Sequence, residues 1–289
     1  MRRYKCKSCG RKFQGKRKPT RLLQKLWTDY VWHRATLTEL GKKYQRSISW
    51  IRRKLDMAPS RRMEFVGQPV VIVADVTFWG RGYGVIVFRS PELKQNLYCA
   101  ELTTETAQAY REGREFIEEF GYTIDAVVID GKRGVQEVFG DVPVQLCQFH
   151  QIAAVNRYLT RRPKLQAGKE LRSLALSLTK TNEEVFTAAL RAWYARWKEF
   201  LKERTTSPET RRWCYTHRRI RAAYRSLKTH LPYLFTCQRY PELHIPNTTN
   251  SLDGTFSHLK DLLRLHRGLK NSRRYKIINE ILINHRPPD

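Results

Sequence analysis

Two apolar runs in this chain each end on a single acid. "VVIVADV" carries Asp75, and "AVVIDGKRG" carries Asp130 ahead of a glycine and a basic turn with Lys132 and Arg133. Runs rich in Val and Ile read as buried strands. Carboxylates at the carboxyl ends of strands line the ligand crevice of an open α/β sheet. Two such acids on one rim repel, and at least one pKa must rise unless a cation joins them. Hard carboxylate oxygens select Mg²⁺ or Mn²⁺ over Zn²⁺. Taken singly, either aspartate also serves as a cap for the turn that follows it. Taken together, in a chain of net charge +28, they lead to the expectation of a divalent-metal site.

A third acid comes from "TTNSLDGTFSHLKDLLRLHRG", residues 248–268. Leu252, Phe256, Leu259 and Leu263 recur at helical spacing and predict a core stripe. Asp253, Ser257, Lys260 and Arg264 then fall on an adjacent face, so one acid can hold metal while Lys260, Arg264 and the following Arg267 grip phosphates. Asn250 is placed to cap this helix or to support the acid, and Gly254 permits close approach of a ligand backbone. Asp261 and Glu280 are the rival third acids.

Sulfur and imidazole appear in pairs. Cys147-Gln148-Phe149-His150 closes a predicted strand, "VPVQLCQFH", and three readings stand open for it. One is a buried cysteine with a hydrogen-bonded histidine; another, which only the family resemblance given below implies, is support of the active-site sheet and of DNA near the cleavage point. The third is a Cys₂His₂ zinc set completed by Cys214 and His217. Cys6-x-x-Cys9 has the knuckle of half a zinc ribbon; tetrahedral Zn²⁺ needs four ligands, so the alternatives are a Zn²⁺ site with missing partners and two reduced thiols in a basic arm.

The elements that must position these groups follow from charge and periodicity. Residues 1–62 carry 20 Lys/Arg and 3 acids, residues 63–150 carry 7 and 13, and residues 151–247 carry 20 and 7. An acidic block between two basic ones reads as a ligand centre flanked by anion-holding surfaces, with nucleic acid as the partner and an anionic membrane as its competitor. No run approaches the roughly eighteen apolar residues of a membrane span, and "MRRYKCKSCG" lacks the apolar core of a signal peptide. A soluble intracellular protein is expected.

Residues 1–18 are expected to form the partial zinc-ribbon arm, and residues 19–62 a helix-turn-helix, with any helical hairpin bearing a solvated basic face as its alternative. There Leu37, Leu40 and Tyr44 share one face, and Ser47 or Ser49 caps a second helix with Ile48, Ile51 and Leu55 inward. Ser49, Trp50, Arg52 and Arg53 face outward toward a DNA groove. A Pro-containing linker leads to residues 69–150, where three strands in a meander, a helix, and further strands at 124–130 and 142–150 predict a mixed α/β sheet. Residues 151–247 predict a basic all-helical insertion with Trp193, Tyr194, Trp197 and Phe200 as core, and residues 248–289 a C-terminal catalytic helix that completes the sheet domain.

From residue 69 to about 285 the chain resembles bacterial Mutator-like transposases, which are DDE-type enzymes with an RNase H-like core. The resemblance rests on Asp75, Asp130, the C-x-x-H at 147–150, the basic helical insertion, and "NTTNSLDG" opening the last helix. It implies two Mg²⁺ (or Mn²⁺) ions held by Asp75, Asp130 and Asp253, hydrolysis of a phosphodiester at the element's ends, and joining of the freed 3′-hydroxyl to target DNA. It also implies DNA as partner, a homodimer or larger assembly on DNA, no membrane, and a bacterial cytoplasmic, nucleoid-associated location. The family usually has Glu where this chain has Asp253, so the helix must approach one methylene closer or admit a bridging water. A DNA-binding derivative that no longer cuts, and an RNase H-like structure-specific nuclease, are the alternatives.

Overall fold

The computed structural model describes residues 3–5, 7–14, 21–58, 65–206, 208–266 and 268–283. Its N-terminal elements are short. Strands β1 (Arg3–Lys5) and β2 (Lys12–Gln14) pair antiparallel. Helices α1 (Arg21–Val31), α2 (Leu37–Tyr44) and α3 (Ile48–Asp56) follow. Thr36 and Glu39 form a reciprocal capping box at the start of α2, satisfying two donors that a helix end leaves free. Ser47, rather than Ser49, caps α3 by accepting from the Trp50 N–H. Only three residues separate α2 from α3, and Gln45 makes the turn in the left-handed region at φ 51°.

Leu40, Ile51 and Leu55 are fully buried with Leu26, Tyr30 and Val31 of α1. Ile48, expected on the inner face, is 41% exposed: as the first residue of α3 it lies beyond the packed stripe.

The apolar run from Pro69 becomes β3 (Pro69–Phe78), the centre of a five-stranded sheet. β4 (Gly84–Ser90) and β5 (Gln95–Leu102) continue it as an antiparallel meander. Helix α4 (Ala107–Glu119), capped by Thr106, returns the chain to β6 (Thr123–Ile129), and a single 3₁₀ turn leads to β7 (Val144–Leu146). β6 runs parallel to β3, and β7 parallel to β6, giving the order β5-β4-β3-β6-β7. This is the mixed sheet that the sequence predicts. Strands β3 and β6 are covered on both faces, which is why they read as continuous apolar runs rather than alternating ones. Gly113 lets α4 lie close on the sheet: a Cβ there would come within 2.6 Å of the Phe88 ring.

The insertion begins earlier than expected. β7 stops at Leu146, and α5 (Gln148–Leu159) already contains Gln148, Phe149 and His150, so the predicted strand to His150 is half strand and half helix. Helices α6 (Gln166–Leu176) and α7 (Glu183–Lys202) follow. Next comes a two-stranded ribbon, β8 (Arg204–Thr206) and β9 (Trp213–Tyr215), where helix was expected. Helices α8 (Arg218–Leu234) and α9 (Thr236–Arg239) complete the insertion. Of its aromatics, Trp193 is core and donates to the Ala167 carbonyl, whereas Tyr194 is 40% exposed and stacks on Tyr224.

The last helices are α10 (Asn250–Leu265) and α11 (Asn271–Ile283). Leu252, Phe256, Leu259 and Leu262 are buried in α10, so the stripe shifts by one residue from the predicted Leu263. The chain divides into two compact units, Glu64–Phe256 and Met1–Met63 with Ser257–Asp289, and the division falls inside α10. The segment 248–289, expected to complete the sheet domain as a whole, therefore contributes to both. In the second unit, the Arg273 guanidinium pairs with Asp56 at 2.7 Å and donates to the Arg52 carbonyl, while the His266 ring meets the Tyr30 carbonyl at 3.0 Å. Glu280, one rival third acid, is buried there and accepts from the Trp32 indole; Asp261, the other, is in the same unit.

Candidate active site at the strand ends

Strand register brings the first two acids level. β3 and β6 pair up to Val73 and Val128, so two residues further along, where β6 ends, Asp75 and Asp130 stand side by side on neighbouring parallel strands. Asp75 is still paired with Val87 of β4 and is 6% exposed; Asp130 opens the turn and is partly exposed. One oxygen of each is tied to backbone: Asp75 Oδ1 accepts from the Val76 N–H at 2.8 Å, and Asp130 Oδ1 from the Lys132 N–H at 2.9 Å. The turn after Asp130 needs two left-handed residues, Gly131 at φ 88° and Gly134 at φ 83°. It leaves Lys132 and Arg133 exposed.

Burial pushes the Asp75 carboxyl up to about 6, with the negative charges of Asp130 and Asp253 adding to the rise and the charge of His150 opposing it. Asp253, more than a hundred residues away in sequence, thus acts electrostatically on Asp75 from the first turn of α10. Asn250 is the first residue of α10 rather than its cap, and is exposed; Thr249 holds the position before the helix.

Thr249 explains the C-x-x-H motif. Cys147 ends β7 at the cap position of α5, and His150 lies one turn into that helix. The Cys147 sulfur accepts from the Thr249 N–H at 3.4 Å and its hydroxyl at 3.6 Å, and Thr249 Oγ1 lies 3.5 Å from His150 Nδ1. Hydrogen bonding to Cys147 raises His150 to about 9 despite burial, with Cys147, Asp75 and Asp130 contributing through their charge. Burial opposes ionisation of Cys147, but its bonds to His150 win and lower the thiol. His150 is therefore a cation whose charge acts on Asp75 and on which Asp75 and Asp130 act in turn. The Asn247 carbonyl, bonded by the Gln148 N–H at 2.9 Å, adds a second fastening between the starts of α5 and α10.

Three further groups belong to this neighbourhood and had no sequence signal of their own. Tyr110 donates to Glu105 at 2.9 Å, and Glu105 is raised by burial and then by Asp130. His230 of α8 lies beside Gly131 and meets Gln151 at 2.7 Å.

Among the described residues no three His, Cys, Asp or Glu side chains converge closely enough to bind one ion. Neither Cys147, His150, Cys214 and His217 nor Asp75, Asp130 and Asp253 form such a group. Cys147 and His150 are engaged with Thr249, while the His217 ring pairs with Glu203 and stacks on Phe200 at the base of the ribbon. The carboxylates fit a hard divalent cation in donor type and charge. Each of Asp75 and Asp130 keeps one oxygen clear of those backbone bonds, and Mg²⁺ commonly takes one or two carboxylates and completes its shell with water and phosphate oxygens. Cys9 is exposed; Cys6 lies outside the described residues, and so does Arg267.

The groups expected to face DNA lie on the surface in part. Ser49, Arg52 and Arg53 are exposed; Trp50 is half-buried, with Arg46 and Lys54 over its ring at 5.7 and 5.6 Å. Lys260 is half-buried and Arg264 exposed beside Asp261, and both fall in the unit that contains the N-terminal helices, whereas Asp253 falls with Asp75 and Asp130. No described helix is long and apolar enough to cross a membrane.

No family model matches this sequence, and no curated protein matches it. Among solved structures it is similar to a chain titled "Drosophila P element transposase strand transfer complex", at 13% identity over 93% of each chain and a TM-score of 0.36. A likeness at that level carries no functional argument, which rests on the site.

Proposed function

We propose that this chain is a DNA transposase that cuts phosphodiester bonds at Asp75, Asp130 and Asp253 and transfers the freed strand to target DNA. The observation that carries this reading is the level placement of Asp75 and Asp130 at the ends of adjacent parallel strands, with a third acid, Asp253, adding its charge to the rise of Asp75 from a distant helix. A bound Mg²⁺ or Mn²⁺ would supply Lewis-acid activation of water and of the scissile phosphate. Asp75 and Asp130 would hold it through their free oxygens, with Asp253 nearby.

The protein's own residues do the rest. Lys132 and Arg133 stand beside Asp130, where they can grip the phosphates flanking the bond to be cut. The Cys147–His150–Thr249 contacts fix the start of α10 and hence the approach of Asp253. His150, positive at neutral pH, offsets the carboxylates. Ser49, Trp50, Arg52 and Arg53 on α3 would read the element's ends, and Lys260 and Arg264 would add phosphate contacts. The reading carries with it a homodimer or larger assembly on DNA in the bacterial cytoplasm.

A second reading has one observation in its favour: the absence, among the described residues, of three converging metal donors. It makes the chain a transposase-derived DNA-binding protein that does not cut. A single assay separates the two. Purified protein is given Mg²⁺ and duplex DNA carrying the element's ends, beside Asp75→Asn and Asp130→Asn variants. Transposition predicts cutting and joining by the parent, with both lost and binding kept in the variants. Binding without cutting by the parent supports the second reading, and cutting that survives either substitution ends the carboxylate assignment.

A further inference from the structure

β8 and β9 pair only with each other among the described residues, apart from the five-stranded sheet. Their register sets Arg204 opposite Tyr215 and Thr206 opposite Trp213. Opposed residues share a face, and alternate residues return to it, so all four lie on one side of the ribbon. On that side the Arg204 guanidinium lies 4.0 Å from the Trp213 ring and 5.7 Å from the Tyr215 ring. The Arg221 guanidinium, reaching from α8, lies 3.5 Å from Tyr215. Cations and rings thus alternate along a ladder whose last rung, Trp213, is 52% exposed.

An isolated hairpin is marginally stable, but this one is clamped at its base. The Thr216 N–H donates to the Glu203 carbonyl at 3.0 Å, and Arg221 donates to the Leu201 carbonyl at 2.6 Å. The His217 ring stacks on Phe200 at 3.6 Å and bonds Glu203 at 2.8 Å. The ribbon is therefore mounted stiffly between the end of α7 and the start of α8.

Its charge says what it is mounted for. Residues 202–221 hold seven Lys/Arg and two acids. A connection that only joined two helices would need neither an exposed tryptophan nor this excess of cations. Stacking covers the flat faces of a guanidinium and leaves its edge N–H groups for phosphate oxygens. The rings also hold the arginines extended before any ligand arrives, which lowers the entropy lost on binding.

We propose that the β8–β9 ribbon is a second DNA grip, seating Arg204 and the neighbouring exposed Arg212 on phosphates of the duplex that occupies the carboxylate site. This rests on DNA being the partner, as read above. α8 links the two places: it starts at the ribbon's base with Arg218, and twelve residues on, His230 lies with its ring carbon 3.5 Å from where a Cβ on Gly131 would be. Twelve residues of helix rise roughly 18 Å. At about 3.4 Å per base pair, the ribbon meets the duplex about five base pairs from the phosphate beside Asp130.

The test is anisotropy of a fluorescein-labelled duplex of about 30 base pairs and mixed sequence, titrated with the full-length chain in EDTA at several salt concentrations. Parent, Arg204→Gln/Arg212→Gln and single Arg212→Gln proteins are compared. The double variant is expected to bind roughly tenfold more weakly, with a log K against log salt slope shallower by about 2, since each lost phosphate contact removes about 0.9. Arg212 carries none of the stacking, so Arg212→Gln alone keeps the ribbon intact and is expected to lose about 1 from the slope. Parent-like affinity and slope in both variants would overturn the grip and leave DNA as partner standing. Failure of the parent itself to bind the duplex would overturn both.

Discussion

Asn in place of Asp75 should make the protein more stable while making it inert. Asp75 is 6% exposed, and burial with neighbouring negative charge lifts its carboxyl from 3.8 to about 6. At neutral pH the folded protein holds a carboxylate that the unfolded chain would hold more comfortably, a penalty of about 3 kcal/mol. The sign fixes the pH window. Below about pH 4 the side chain is protonated in both states and the penalty vanishes; it grows between 4 and 6 and is complete above 6. Asn is isosteric, stays neutral, and can still accept from the Val76 N–H through its carbonyl oxygen. Asp75→Asn is therefore expected to gain up to about 3 kcal/mol at pH 7.5 and almost nothing at pH 3.5. At about 2–4 °C per kcal/mol for a unit of this size, the midpoint should rise by up to roughly 6–12 °C at neutral pH. Urea unfolding at several pH values, in EDTA, measures it. A variant destabilised at pH 7.5, or a difference that does not change with pH, would refute the buried, charge-crowded carboxylate.

Three other substitutions probe the supports. Thr249→Val removes the hydroxyl's contacts to Cys147 and His150 while keeping the backbone N–H on the sulfur, and should cost about 1–2 kcal/mol by leaving buried polar atoms unpaired; urea unfolding checks it, with a fall in any cutting activity beyond the loss of folded protein marking a role in placing Asp253. Gly113→Ala drives a methyl into the Phe88 ring and should cost about 1–3 kcal/mol in the thermal unfolding of the sheet unit, with no change in DNA binding. Asp56→Ala leaves Arg273, whose side chain is 6% exposed, with the Arg52 carbonyl as a remaining partner, and should cost about 1–3 kcal/mol. Asp56 itself is half-exposed, so the loss sits below that of a fully buried pair. Calorimetry should place it in the unit that contains Asp56 and leave the sheet unit's transition where it was.

The parts of this fold that were legible in the sequence are those set by burial on two faces. β3, β4 and β6 read clearly because each is a run of Val, Ile and other apolar residues broken by turn residues, whereas β5, an edge strand with neither Val nor Ile, reads from its hairpin spacing. Asp75 and Asp130 were conspicuous for being the acids at the ends of such runs. Register then did what periodicity cannot: only the Val73–Val128 pairing puts the two carboxylates level. The ribbon escaped because strands of three residues have too few positions for alternation to register, and their aromatics are stacked on arginines rather than buried in a core. Ile48 departs from the inner face because helical spacing runs through a helix's first residue while packing does not. Leu263 gave way to Leu262 for a related reason: a stripe drawn along α10 as one helix ignores that its two ends pack into different units. Glu105, Tyr110 and His230 belong to the site only through tertiary placement, and nothing in their local sequence distinguishes them.

The spacing within Cys147-x-x-His150 then has a physical reason independent of zinc. A cap residue and the residue three positions on lie on the same side of a helix's first turn, so sulfur and imidazole can address one hydroxyl together. Here that hydroxyl is Thr249, and the residue one turn beyond it is Asp253. The motif joins the start of α5, which grows directly out of β7, to the start of α10. Any error in where α10 begins would be passed on to Asp253 over a single turn of helix. Charge works in the same direction. His150 is held positive mainly by Cys147, and that charge is the one that restrains the rise of Asp75. Replacing His150 by a neutral residue would loosen the fastening and let Asp75 climb further toward the protonated form. The same side chain thus sets the position of the third acid and the charge of the first.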